Sequence, residues 1–335
     1  MTEPLSERLS LPDIALVCDA DYTGIEHRLK QVSIEVKDAS PNVSGKFFYL
    51  HFKGKKASVE EFVNFIYSKL IYYCIPKKRR DFFISKYEET ADLKYMLELV
   101  DAAKNLFIKA KKSIPKAGEP GELILFIINE YYLKAPQVVS KMYLKTSESM
   151  PVHGTDGIHM SYDEANDCLN LYWGESKIYQ NLSASLDEIC KSIKSFTDSK
   201  TARKPKDRDV DIIKSNLDVK DKKTEDALLK YFDPYEKESN NLREIYCCLS
   251  IFDYELYEKL EQMGEDEIEE YFLTEYIQKI NTTYNAFFEK SKKHGIQDLQ
   301  FVFILLPFPD VAYFRQEFFR KLGINPEEVK GESND

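Results

Sequence analysis

Two periods of hydrophobic and polar residues run along this chain, and the switches between them predict where its elements lie. Apolar runs at Ile14–Cys18 and Phe47–Phe52, the second partly alternating, predict strands. A long helix is expected from Val59 to about Cys74, with Ser58 at its N-cap and Pro76 just beyond its end. The basic run Lys77–Arg80 follows, and then a second helix over about Asp92–Lys112. The stretch Lys116–Gly121 carries Gly and Pro and predicts a loop. Glu122–Leu133 reads as a mostly apolar helix stopped before Pro136. One strand leaves the turn Pro151–Gly154 and carries Thr155–Ser161; another is Cys168–Trp173, continuing through Gly174 to Tyr179. Their link, Tyr162–Asp167, is short and polar, so a hairpin is the simplest connection. Ser185–Phe196 predicts a helix. Residues 200–224, rich in Lys, Arg and Asp, read as an exposed linker or insertion. The remainder reads as helical with acidic stretches such as Gly264–Glu270, closed by an apolar strand at Phe301–Leu306, Pro307 and a helix over Val311–Leu322.

This pattern predicts an α/β protein: an N-terminal α/β lobe over residues 1–115, then a domain over 116–335 with a mixed sheet flanked by helices and the charged insertion. A length of 335 residues is ample for a large core, and 43% hydrophobic with 31% charged residues fits a globular chain. No apolar run reaches the roughly 18 residues that a membrane helix requires. The polar N-terminus lacks the regions of a signal peptide, so the expected location is the cytoplasm. None of the six cysteines forms a CxxC pair or sits at zinc-site spacing with a histidine, which predicts buried reduced thiols. The net charge of −10 opposes non-specific binding to nucleic acid unless a groove is locally basic or a partner holds the polymer.

The candidate chemistry lies in Gly154-Thr155-Asp156-Gly157-Ile158-His159 and Trp173-Gly174-Glu175-Ser176-Lys177. Residues i and i+2 of a strand share a face, so Glu175 and Lys177 project together, and a hairpin brings Asp156 beside Glu175. Two carboxylates are hard oxygen ligands suited to Mg²⁺, with the Ser176 carbonyl as a further ligand. A metal there lowers the pKa of water and stabilises phosphate charge, and the Lys177 ammonium can orient the attacking water or stabilise the transition state. The alternative is a buried Glu175–Lys177 ion pair of structural value only. Glycines 157 and 174 beside the acids allow close backbone approach. Charged groups within the apolar strand Leu169–Ile178 need a reason.

These residues, with the preceding helix, resemble the PD-(D/E)XK nuclease superfamily. More narrowly, Gly121-Glu122-Leu123 through Lys141, His153–His159, Tyr172–Lys177 and Ser192–Phe196 resemble HamA, the nuclease subunit of Hachiman antiphage defence. The resemblance rests on about residues 119–200 and the terminal strand and helix. It implies a PD-(D/E)XK-like core, Mg²⁺- or Mn²⁺-dependent DNA cleavage by Asp156, Glu175 and Lys177, and a helicase-like HamB partner, for which the N-terminal lobe and the acidic Glu255–Glu270 region are the expected docking surfaces. It also implies that Glu122 matches the helical Glu of the superfamily and reaches the metal waters; equally, Glu122 is an acid complementing a helix dipole. Lys141, His153 and His159 are weaker candidates for DNA contact, against solvated or structural roles. The rivals to a nuclease are a catalytically silent regulatory subunit of a helicase complex and an interaction protein docking through its acidic C-terminal region.

Overall fold

The computed structural model describes residues 18, 20–36, 39–110, 118–145, 154–198, 205–219, 221–260, 262–264 and 267–325. The strand expected at Ile14–Cys18 falls outside them except for its last residue. Among the described residues, one seven-stranded mixed sheet carries the fold, as the pattern predicts. Its strands are β1 (Leu29–Val32), β2 (Val43–Leu50), β5 (Gln137–Val139), β6 (Gly157–Asp163), β7 (Cys168–Tyr179), β8 (Leu242–Asp253) and β9 (Phe301–Phe308). A small ribbon pairs β3 (Phe52–Lys53) with β4 (Lys56–Ala57). The sheet order is β1-β2-β9-β8-β7-β6-β5. The interior strands β2, β9, β8 and β7 run parallel, and the hairpins β1–β2, β6–β7 and β5–β6 are antiparallel. The segments before and after residue 115 thus contribute to one continuous sheet.

Helices cover both faces. On one lie α1 (Val59–Tyr67), α2 (Leu70–Cys74), α4 (Lys94–Ala110), α5 (Glu119–Tyr131) and α12 (Val311–Lys321), with α3 (Lys77–Thr90) against α4 and α6 (Lys141–Leu144) near α2 and α4. On the other lie α7 (Leu182–Thr197), α8 (Pro205–Asn216), α9 (Lys222–Lys230), α10 (Leu256–Leu260) and α11 (Ile268–Lys293). Strand β7 serves both cores. Leu169, Leu171 and Trp173 pack on the second face, while Tyr172 and Ile178 pack on the first. Each large apolar side chain so buried contributes about 1.5–3 kcal/mol.

Four expectations change. The helix drawn from Val59 to Cys74 is broken at Ser68–Lys69. There the Ser68 hydroxyl bonds back to the Phe65 carbonyl at 2.7 Å, competing with the regular ladder. Ser58 precedes the helix without a side-chain cap. The region after residue 225 is not simply helical, because β8 is a central strand. Its run Tyr246–Phe252 is apolar without alternation because the strand is parallel to both neighbours and buried on both faces. Within 200–224, residues 205–216 form helix α8, in which Asp209 and Ile213 are buried four residues apart. The abundant exposed charges on its other faces hid that stripe.

Candidate active site

The hairpin register sets the site. Gly157 pairs with Gly174, so Asp156 comes opposite Glu175 as expected, with its N–H donating to the Gly174 carbonyl at 2.8 Å. A Cβ at Gly174 would lie 3.2 Å from the Gly157 nitrogen and 3.0 Å from Leu125 Cδ2, which is why two bare backbones meet there. Beyond this pair β6 has not begun, while β7 runs on to Tyr179. The Ser176 N–H therefore donates not to a strand partner but to Asp156 Oδ2, at 2.7 Å, joined by its hydroxyl at 3.0 Å. Asp156 Oδ1 takes no hydrogen bond among the described residues.

Glu175 and Lys177 continue the face of Leu169, Leu171 and Trp173, and they ion-pair with each other. With Asp156 they line a cavity of about 460 Å³ closed on its far side by α7 and α8. Burial, with the neighbouring Asp156 charge, pushes the Glu175 carboxyl up to about 7, against the opposing pull of Lys177 and Ser192. Burial draws the Lys177 ammonium down, but the Glu175 and Asp156 carboxylates outweigh it and hold the group above its ordinary value. Lys191, Ser192 and Arg208 bring further donors to the same cavity.

Glu122 stands apart. It does not line this cavity, and both its oxygens are occupied: Lys145 Nζ donates to them at 2.8 and 2.7 Å and the Tyr73 hydroxyl to one at 2.7 Å. Its link to the site is by charge, because Lys145 answers both Glu122 and Asp156. Nearby Glu119 is raised by burial and by Glu122.

The weaker candidates fare differently. Lys141 is only 1% exposed, its ammonium held by Asp209 Oδ2 at 2.9 Å and by the Thr155 carbonyl, so it cannot reach a phosphate. His159 is likewise 1% exposed, its Nδ1 2.8 Å from the Ala135 carbonyl, and is part of the core rather than a DNA contact. His153 lies outside the described residues. The structure adds Asp209, Lys145, Tyr73 and Arg208 to the surroundings of the site, residues that no catalytic motif marks. Asp209 alone had a signal, its spacing of four from Ile213.

Burial lowers His159 from its ordinary 6.5 to about 4, opposed by the Ala135 hydrogen bond. Below pH 6.5 the unfolded chain takes up a proton that the folded chain refuses, so stability is full above that pH and is lost as the pH falls toward 4. Between pH 7 and 5 this amounts to about 2 kcal/mol. Urea midpoints at the two pH values should show it, and His159→Gln should remove that part of the pH dependence. An equal pH dependence in the variant would exclude His159 as its source.

A sequence profile of the HamA family matches residues 26–322 of the 335. The chain belongs to the HamA family. Membership makes it an antiphage defence protein, and the match extends over the whole sheet from β1 to β9 as well as the motif-bearing hairpin. No curated protein matches the chain. Among the described residues, no helix is long and apolar enough to cross a membrane.

Proposed function

We propose that this HamA-family chain is a metal-dependent DNA nuclease and the effector of a Hachiman-type complex. The observation that carries the reading is the convergence of Asp156, Glu175 and Lys177 at the open edge of β7 in one cavity. Among the described residues no three Asp, Glu, His or Cys side chains form a ready metal cluster. The donor set is therefore two carboxylates, Asp156 and Glu175, with the Ser176 carbonyl as a third candidate. That composition suits Mg²⁺ or Mn²⁺, which keep waters and share phosphate oxygens.

When bound, such a metal supplies a Lewis acid for the scissile phosphate and a more acidic water. The chain supplies the rest. Lys177 Nζ, paired with Glu175, is placed to hold the attacking water or to offset charge gathering on the phosphate. Ser176 fixes Asp156 through two hydrogen bonds, leaving its other oxygen for ligation. Arg208 and Lys191 at the cavity give the acidic chain local positive charge for a nucleic-acid backbone. The test is plasmid and linear DNA with Mg²⁺, Mn²⁺ or EDTA: cleavage is expected with either metal and lost in EDTA. Full cleavage by verified metal-free protein would sink the proposal.

The family also favours a helicase-like partner of the HamB kind, because a net charge of −10 opposes unaided grip on DNA. Of the two docking surfaces expected from the sequence, the N-terminal segment is better supported. Its α3–α4 pair leaves Phe82, Leu93 and Leu97 more than half exposed. In the acidic Glu255–Glu270 stretch, Glu269 is engaged by Lys30 and Tyr49 of the chain itself. Co-expression with the neighbouring gene product should give one complex on size-exclusion chromatography, with cleavage low until the helicase engages DNA. Separate elution at micromolar concentrations with unrestrained cleavage would reject this.

A further inference from the structure

Helix α8 brings an acid to the back of the turn that bears Asp156. Asp209, fully buried, accepts three hydrogen bonds there on its Oδ2. The Thr155 N–H donates at 3.1 Å, the Thr155 hydroxyl at 2.9 Å and Lys141 Nζ at 2.9 Å. Lys141 also donates to the Thr155 carbonyl, so the peptide units on both sides of Thr155 are held. The fit against Gly154 is close: a Cβ there would come within 2.5 Å of Asp209 Oδ1, so only glycine passes. The residue after this clamped Thr155 is Asp156.

The arrangement is poor value if stability were its only purpose. Buried ion pairs are often replaced by apolar residues without loss, and Asp209 Oδ1 is buried with no hydrogen-bond partner among the described residues. What the clamp does provide is direction. A backbone gripped at Thr155 on one side and tied to Gly174 and Ser176 on the other leaves the Asp156 carboxylate one position, at the cavity.

We infer that Asp209 is a positioning residue for Asp156, acting through Thr155 with Lys141 as its buried counter-ion. The inference rests on the nuclease reading for its consequence but not for its geometry. Helix α8 is then part of the catalytic apparatus: it supplies the clamp from its buried side and Arg208 to the cavity from the next position.

The test uses the full chain and two perturbations of the clamp. Thr155→Val removes one hydroxyl and no charge. Lys141→Met with Asp209→Asn removes both charges together and avoids stranding either one. Ile213→Ala, which weakens the core contact of the same helix without touching the turn, is the control. Amide hydrogen exchange is read at Asp156 and Ser176, whose N–H groups report the turn directly. Cleavage is measured in parallel as kcat and KM for DNA. Both clamp variants should exchange about tenfold faster or more at these two amides. Their kcat should fall by roughly tenfold to a hundredfold, the scale of misplacing one reacting group, with KM nearly unchanged. Ile213→Ala should show neither change at equal folded fraction. Unchanged exchange in both clamp variants overturns the inference, as does faster exchange with undiminished kcat, or an Ile213→Ala control that behaves like them. Faster exchange in a protein whose wild type neither cleaves DNA nor binds Mn²⁺ upholds the clamp and refutes the nuclease.

Discussion

Glu175→Gln is expected to abolish DNA cleavage while leaving the chain folded at least as stably as the wild type in metal-free buffer. Glu175 is buried beside Asp156, and its carboxyl is pushed up to about 7 by that burial and that charge. A neutral amide of the same shape relieves the repulsion that the acid imposes. The cost falls on chemistry: a lost metal ligand forfeits on the order of 4 kcal/mol of transition-state stabilisation, about a thousandfold in rate. Lys177→Ala should lose cleavage to a similar degree. Without its ammonium, Glu175 can take a proton, so unfolding should be affected far less than activity. Urea titrations beside cleavage rates decide between this and the structural ion pair. Near wild-type cleavage, together with a loss of several kcal/mol of stability in either variant, would favour the ion pair and remove both residues from the mechanism.

Lys141→Met should be among the most damaging single substitutions for folding. Lys141 and Asp209 are 1% and 0% exposed at the side chain, and each is the other's counter-charge at 2.9 Å. Burial lowers the Lys141 pKa even against the pull of Asp209, the mark of a charge held far from water. Removing one member strands the other, which costs about 3–5 kcal/mol. Adding Asp209→Leu should return part of the loss, though the Thr155 N–H is then left without its acceptor, at about 1–3 kcal/mol. Denaturant midpoints of the two singles and the double give the coupling directly. Additive losses would show that the two charges do not depend on each other. The more exposed Lys145–Glu122 pair, at 23% and 9%, should cost less when broken from the lysine side.

Glu175 and Lys177 were legible because a strand's period of two is local, and the turn signals around Tyr162–Asp167 made the hairpin that opposes Asp156 to Glu175. The broad architecture was legible for the same reason, since each element writes its period into its own few residues. Lys141 and His159 misled because a lone cation or imidazole looks the same in sequence whether it faces solvent or a buried acceptor. Strand β8 was hidden because Arg243, Glu244 and Ser250 interrupt its apolar run, whereas β9, equally buried and equally without alternation, shows as an unbroken run from Phe301.

The sequence by itself determined the α/β class, the hairpin with its three facing charges and the family to which those motifs point, all carried by contacts within about thirty residues of chain. Only the tertiary structure decided that Lys141 is a buried counter-ion, that Glu122 spends its oxygens on Tyr73 and Lys145, and that helix α8 closes the site. Lys141 and Asp209 are 68 residues apart and Tyr73 and Glu122 are 49 apart. The burial that makes such pairs worth forming exists only once the sheet and both helical layers have assembled, so no local pattern records it.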